Sequence, residues 1–318
     1  MDALVIAGPT AAGKTALALA LAQQIPAEII NMDSALVYKG MDIGTAKPSM
    51  DERGQVVHHL IDMVEVTDSY SAADFVADAE RLVPEIQARG KLPIVVGGTL
   101  LYLHSWQQGL SELPSADEAL RSQLQQEWER DPAAMHARLM NLDPVAGQRI
   151  HPNDPQRILR ALEVITLTGS SLTAQQQQRK ATQLKLGVVF IEPPSKPWLH
   201  QRIEQRWQLM MQQGFMDEVK AVMQATNNQL DLPSMRCVGY RQIAQYLLGE
   251  IDQTIMEQQA LSATRSLAKR QLTWMKKMVA QLRLSAEMTT EDQLAQVLAY
   301  IQAENPSGFS QSTHDKMC

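Results

Sequence analysis

Gly8-Pro9-Thr10-Ala11-Ala12-Gly13-Lys14-Thr15 has the G-x-x-x-x-G-K-T spacing of a phosphate-binding loop. Its glycines let the backbone curl so that successive N–H groups point at an anion, and Lys14 adds a positive point charge. Thr15 brings a hydroxyl suited to a magnesium ion that bridges phosphate oxygens. The motif leaves open whether a nucleotide, a diphosphate or another diphosphate ester is held. Asp33 ends a second apolar run. A carboxylate beside such a loop serves as a magnesium ligand or as a general base for an incoming nucleophile, and spacing alone does not choose. Gly97-Gly98-Thr99 is a second tight turn after an apolar run. Between Gln258 and Ala286 lie six bases and no acid: Arg265, Lys269, Arg270, Lys276, Lys277 and Arg283. In a chain of net charge −6 that asymmetry suits a phosphodiester backbone, and also suits a plain solvated face. Trp274 within the run is either core or a stacking platform. Arg157 and Arg160 stand at i and i+3 behind His151-Pro152-Asn153-Asp154-Pro155, as a recognition patch or as exposed arginines on a capped helix. His58 and His59 read as packing or turn residues, because no partner acid or cysteine falls at metal-ligand spacing.

These residues need elements to hold them. Ala3 to Ala7 reads as a buried strand feeding the loop, and Thr15 to Gln24 as the helix after it. Strands are expected again at Glu28 to Met32, Leu92 to Val96 and Leu184 to Ile191, with His58 to Asp62 as a further strand or a loop. Short apolar strands alternating with helices indicate an α/β fold with a parallel sheet, whose ligands lie at the carboxyl ends of the strands. The phosphate loop, Asp33 and Gly97-Gly98-Thr99 all fall at such ends, so they should converge. Asp42-Ile43-Gly44-Thr45-Ala46-Lys47-Pro48 is a loop rich in breakers. Helices are expected at Ser71 to Gln87, Ser195 to Gln213, Phe215 to Ala225, Gln253 to about Leu282 and Thr290 to Gln302. From Leu113 to about Lys180 only helical patterns and turns occur, with Ser115 as a cap and Glu118 as its capping-box partner, ending in the low-complexity Gln175 to Gln178. The expected organisation is a P-loop NTPase-like core of residues 1–112 and 182–304, an all-helical insertion of residues 113–181, and a disordered tail, 305–318.

A chain of 318 residues, 45% hydrophobic and 20% charged, is an ordinary globular protein. No run of eighteen apolar residues and no leader pattern occurs, so a cytoplasmic protein without a membrane partner is expected. Cys237 and Cys318 stand apart from any histidine or cysteine at ligand spacing, which supports neither a disulfide framework nor a zinc site.

Seven separated motifs occur in one order: the phosphate loop, Asp33-Ser34-Ala35-Leu36-Val37-Tyr38, the Asp42 to Pro48 loop, Gly97-Gly98-Thr99, His151 to Arg157, Arg236-Cys237-Val238-Gly239-Tyr240-Arg241 and Lys269-Arg270-Gln271-Leu272-Thr273-Trp274. Together they resemble the bacterial tRNA dimethylallyltransferases, also called tRNA isopentenyltransferases, from the N-terminus to about residue 285. The resemblance implies transfer of a dimethylallyl group from dimethylallyl diphosphate to N6 of the adenosine 3′ of the anticodon (position 37), in tRNAs reading codons that start with U. It implies that Gly8 to Thr15 cradle the leaving diphosphate, with magnesium on Thr15, and that Asp33 takes the proton of the amine. Thr10, Lys14 and Thr99 would line that channel, and Arg121 resembles an arginine that reaches back to the substrate. Contacts to the anticodon stem-loop would come from Asp33, Ser34, Ala35, Leu36, Thr99 and Arg121. Others would come from Gln156, Arg157, Ile158, Leu159 and Arg160, from Arg236 to Arg241, and from Lys269 to Lys276, Met275 included. The insertion would cover the anticodon loop, the target base would flip out of its stack, and the enzyme would act as a monomer. Ala12 stands where the family often has serine, and the cysteine/histidine zinc module of some eukaryotic relatives is missing. Two other readings remain beside it: a P-loop small-molecule kinase with Asp33 as base for a hydroxyl, and an RNA-binding protein switched by a nucleotide.

Overall fold

The computed structural model describes residues 1–111, 113, 114, 117–176 and 181–305. Its chain divides into two compact units, Met1–His104 with Gln183–Cys318, and Ser105–Thr182. In chain order the elements are β1 (Ala3–Ala7), α1 (Lys14–Gln24), β2 (Ala27–Asn31), α2 (Met50–Gln55), β3 (His58–His59), α3 (Ala72–Ala88), β4 (Leu92–Gly97) and α4 (Leu100–Gln108). Then come α5 (Glu118–Arg130), α6 (Pro132–Leu142), α7 (Pro144–Arg149), α8 (Pro155–Thr168) and α9 (Leu172–Gln176). The chain returns to the first unit with β5 (Leu186–Glu192), α10 (Lys196–Gln212), α11 (Phe215–Ala225), α12 (Tyr240–Leu247), α13 (Gln253–Met275), β6 (Leu282–Ser285) and α14 (Thr290–Glu304).

In the first unit the strands form one sheet in the order β3-β2-β4-β1-β5-β6. Every pairing is parallel. Helices on both faces explain why the central strands read as unbroken apolar runs rather than alternating ones. Every residue of β1, β2 and β4 is buried. The order sets β2, β4 and β1 side by side, so the three loops that leave their carboxyl ends share one edge of the sheet. One polar residue inside this layer is explained by its partners. Glu28 on β2, 3% exposed, accepts from Arg89 and Lys91 and meets His59 Nε2 at 2.7 Å. The Arg89 guanidinium is the main cause that holds its carboxyl down to about 2.

A second apolar cluster of the same unit joins Trp207 and Met210 on α10, Phe215 and Val219 on α11, and Tyr240 and Ile243 on α12. Against it packs the Asp42–Pro48 loop. Glu218 accepts the N–H groups of Asp42, Ile43 and Gly44 at 2.8, 2.7 and 2.9 Å. Gly44 is required there, since a Cβ would lie 2.0 Å from the Phe215 ring. Lys47 closes the loop by donating to Tyr38 O and to Asp62.

Two elements depart from expectation. The helix expected to run to about Leu282 ends at Met275, and Leu282–Ser285 forms β6, paired with β5 from Val189↔Leu282 to Glu192↔Ser285. No Gly or Pro marks the break in Lys276–Leu282, and four residues are too few to show a strand period. The pairing with β5 decides the conformation. Glu118 does open α5, but its cap is Asp117, which accepts the Leu120 N–H at 2.9 Å. Ser115, Gln177, Gln178 and the expected tail from Pro306 lie outside the described residues, as does Cys318.

The second unit is helical. Three Asp-Pro steps start α6, α7 and α8: Asp131, Asp143 and Asp154 each cap with a carboxylate, and the proline fills the first helical position, where no N–H is needed. Its own core gathers Leu124, Met135, Leu139, Ile158 and Leu162.

Candidate active site

The phosphate loop begins where β1 stops, and its first glycine is set by crowding. A Cβ on Gly8 would come 2.6 Å from Ile191 O on β5. Ala11 and Gly13 then take positive φ, 63° and 93°, which turns the loop into a concave row of N–H groups ahead of α1. Alanine tolerates the left-handed conformation poorly, and an outside group braces this one: Arg202 Nε on α10 donates to Ala11 O at 2.9 Å. The first N–H groups of α1 have no intrahelical partner and add to the anion site. Lys14 Nζ rests on Pro9 O at 2.8 Å. Burial lowers its pKa to about 8, with the neighbouring Asp33 pulling upward and Arg206 pulling downward.

Asp33 stands past the end of β2. Its N–H donates to Asn31 Oδ1 at 3.0 Å, and its own Oδ1 accepts the Ala35 N–H at 3.0 Å. Burial raises its pKa above the ordinary carboxylate value, against the opposing effects of the Ala35 N–H, Lys14 and Arg206. Thr99 latches the same loop to the end of β4. Its Oγ1 accepts the Ser34 N–H at 3.0 Å and its N–H donates to Met32 O at 3.2 Å. Gly97 permits this approach, because a Cβ there would lie 2.0 Å from Met32 O.

Thr10, Lys14, Thr15, Asp33, Thr99 and Arg206 line one cleft of about 530 Å³. A second cleft of about 1040 Å³ shares Lys14, Thr15 and Arg206 with the first, so the phosphate loop is open on both sides. Cationic N–H donors therefore sit beside a carboxylate of raised pKa. That pairing can hold a diphosphate and accept a proton from a group brought next to it. Among the described residues no group of three or more His, Cys, Asp or Glu could hold a metal alone. Thr15, at the cleft, offers a hydroxyl to a hard cation that takes its remaining oxygens from a phosphate and water.

The other expected residues divide by where their side chains point. Ser34, Ala35 and Leu36 line the cleft, as do Cys237, Val238, Gly239 and Tyr240. Tyr240 is buried and its hydroxyl donates to Glu218 at 2.5 Å, while Arg236 and Arg241 are exposed, Arg236 at the cleft. Burial pushes the Cys237 thiol up to about 12, so it stays neutral. On α13, Lys269, Arg270 and Thr273 are exposed, Arg270 at the cleft, and Lys276 just after the helix is exposed too. Trp274 lines the cleft, its ring 5.0 Å from that of His104. Leu272 packs toward Leu199 and Ile203, Met275 is buried, and Gln271 points inward. Two of the six bases are neutralised by partners: Arg265 by Glu204, and Arg283 by Glu192 with the Phe190 ring beneath it. In the second unit Gln156 and Arg157 are exposed, Ile158 is core and Leu159 is half-buried. Arg121 Nε and Arg160 Nη1 both donate to Glu163, at 2.9 and 2.6 Å. Burial acts to raise the Glu163 pKa, but the bonds from Arg160, the Asp117 N–H and Arg121 outweigh it and hold the carboxyl low.

Arg206, Arg202, Asn31 and Glu218 are functional or supporting residues that sequence reasoning missed. A signal for the arginines exists: Leu199, Ile203, Trp207 and Met210 form the apolar stripe of α10, and Arg202 and Arg206 flank it four residues apart. That pattern puts both at the edge of the buried face, but it does not tell a phosphate from solvent beside them.

A model of the IPP transferase family matches residues 36–278. The chain belongs to the IPP transferase family. It is 48% identical to a tRNA dimethylallyltransferase of Hydrogenovibrio crunogenus over 304 residues, 94% of each chain. It is 52% identical to one of Cupriavidus taiwanensis over 277 residues, 85% of this chain and 86% of that one. Among solved structures, the tRNA isopentenylpyrophosphate transferase of Bacillus halodurans superposes with a TM-score of 0.70 at 34% identity, covering 96% of this chain and 97% of its own. A eukaryotic dimethylallyltransferase acting on tRNA superposes with a TM-score of 0.80 at 26% identity, covering 98% and 81%. The P-loop-like core of this IPP transferase is thus a family trait, and the loop itself, Gly8 to Thr15, lies just ahead of the matched span. No helix among the described residues is long and apolar enough to cross a membrane.

Proposed function

We propose that this IPP transferase moves the dimethylallyl group of dimethylallyl diphosphate to N6 of adenosine 37, next to the anticodon, in tRNAs reading codons that start with U. The products are N6-(dimethylallyl)adenosine and diphosphate. One observation carries the reading: a raised-pKa carboxylate, Asp33, shares a cleft with a phosphate loop whose lysine and arginine neighbours are cationic. In the reaction the bond from the allylic carbon to the diphosphate oxygen breaks as the N6–carbon bond forms. Lys14, Arg206 and the loop N–H groups take up the charge that develops on the diphosphate. The adenine amine is a weak nucleophile, because its lone pair is conjugated with the ring. Asp33 accepts its proton, and Thr99 keeps the Asp33–Ser34 loop in place. Magnesium, held by Thr15 with the donor's oxygens, would neutralise part of the diphosphate charge. The exposed Lys269, Arg270 and Lys276, with Arg236 and Arg241, would contact the RNA backbone, and Gln156 and Arg157 would do so from the second unit. The protein would work as a monomer.

Unmodified tRNA, magnesium and radiolabelled dimethylallyl diphosphate test this, with ATP in a parallel reaction. Label in the tRNA is the expected result. Its absence, or phosphate transfer from ATP to a small acceptor, would reject the reading.

A further inference from the structure

We infer that Gln271 is a positioning residue for this reaction: its side-chain amide holds the start of the phosphate loop and the Gly98–Thr99 turn at one separation. The inference rests on the reading of the cleft as a prenyl-transfer site. Gln271 stands on α13 between the exposed Arg270 and the half-buried Leu272, yet only 7% of it is exposed. Its Oε1 accepts the Thr10 N–H at 2.9 Å, and its Nε2 donates to Gly98 O at 2.9 Å. β1 and β4 pair as far as Ala7↔Gly97, and there the two chains part into their loops. The amide takes up where that ladder stops, acting as an inserted peptide group between them. The fit is close: a Cβ on Gly98 would lie 2.4 Å from Nε2, so the glycine is there for Gln271.

Two consequences follow for the site. The Thr10 N–H is engaged by Gln271, so the anion cradle lies beyond it. The bridge also reaches the base, since Gly98 precedes Thr99, which holds Ser34 beside Asp33. One side chain therefore sets the distance between the loop that takes the diphosphate and the loop that takes the proton. The demand on residue type is narrow, because one acceptor and one donor are needed at this reach. Asparagine is a methylene short. Methionine fills the space without either bond. A glutamate satisfies both partners only while protonated, because its anion would face the Gly98 carbonyl.

The test uses the full chain with Gln271→Met and Gln271→Glu. Q271M is expected to lower kcat by about tenfold or more, while the tRNA dissociation constant stays within about twofold. It is expected to weaken binding of inorganic diphosphate with magnesium, measured by calorimetry, by about tenfold. For Q271E, the ratio of its kcat to that of the wild type should rise as the pH falls, as the neutral acid restores both bonds. A role in RNA contact would instead weaken tRNA binding and leave diphosphate binding alone, and a plain packing role would leave the Q271E ratio flat with pH. Either result overturns the inference, as does a wild-type kcat in Q271M. If Q271M does not fold, the Q271E ratio decides. If the wild type transfers no prenyl group, the functional reading fails separately, and equal diphosphate affinities of Q271E and wild type at neutral pH would overturn this one.

Discussion

Lys14, Asp33 and Arg206 perturb one another's ionisation because all three are drawn out of water around one cleft. Burial works on each in the direction of neutrality, and their mutual attractions partly restore the charges. The consequence is a narrow pH window. Asp33 must be ionised to accept a proton, and its pKa is raised, so kcat/KM should fall on acidification earlier than an ordinary carboxylate would allow. Lys14 must be charged to hold the diphosphate, and it loses its proton above about 8, so kcat/KM should fall again on that side. A pH–rate profile with both limbs is the expected outcome, and a flat alkaline side would remove Lys14 from diphosphate recognition. The phosphate loop and Asp33 were legible because their chemistry depends on local spacing and a strand end. Arg206 was not, because a basic residue on an amphipathic helix looks the same whether it meets solvent or a phosphate.

Along α13 and the segment after it, charge counting grouped six bases that the fold divides. Six bases without an acid suggested a uniform face, whereas the partners of two of them lie far away in sequence. Glu204, on α10, takes Arg265, and Glu192, at the end of β5, takes Arg283. Only the fold brings such acids near. Of the four that remain, all exposed, Lys269 and Arg270 carry the expectation for RNA on this helix. The double substitution of both to alanine should weaken tRNA binding and reduce the slope of log affinity against log salt by about 1 to 2, whereas Arg265→Ala should leave that slope unchanged. Filter binding across a salt series checks both, and an unaltered slope in the double variant would remove this helix from the RNA surface. The same helix shows the limit of pattern reading in its end at Met275. Nothing local separates the helix from the turn and strand that follow, and β6 exists because β5 offers an open edge.

At the scale of the whole molecule, the alternation of apolar runs and helices was enough to read a parallel sheet with its ligands at the carboxyl ends. The sheet order was not readable, and it is what makes the site: β4 lies between β2 and β1, so Thr99 and Gln271 can tie the Asp33 loop to the phosphate loop. The Asp-Pro steps that start α6, α7 and α8 were visible as helix starts in principle, since each carries its cap and its first-turn proline in two adjacent letters. The division of labour within the cleft, with the leaving diphosphate on the phosphate loop and the proton on Asp33, is tested most directly by Asp33→Asn. That change keeps the side chain's size and its bond from the Ala35 N–H but removes the base. Single-turnover transfer from labelled dimethylallyl diphosphate to tRNA should slow by roughly a thousandfold, with the affinities for tRNA and inorganic diphosphate within about twofold of wild type. Transfer at the wild-type rate would contradict Asp33 as the base.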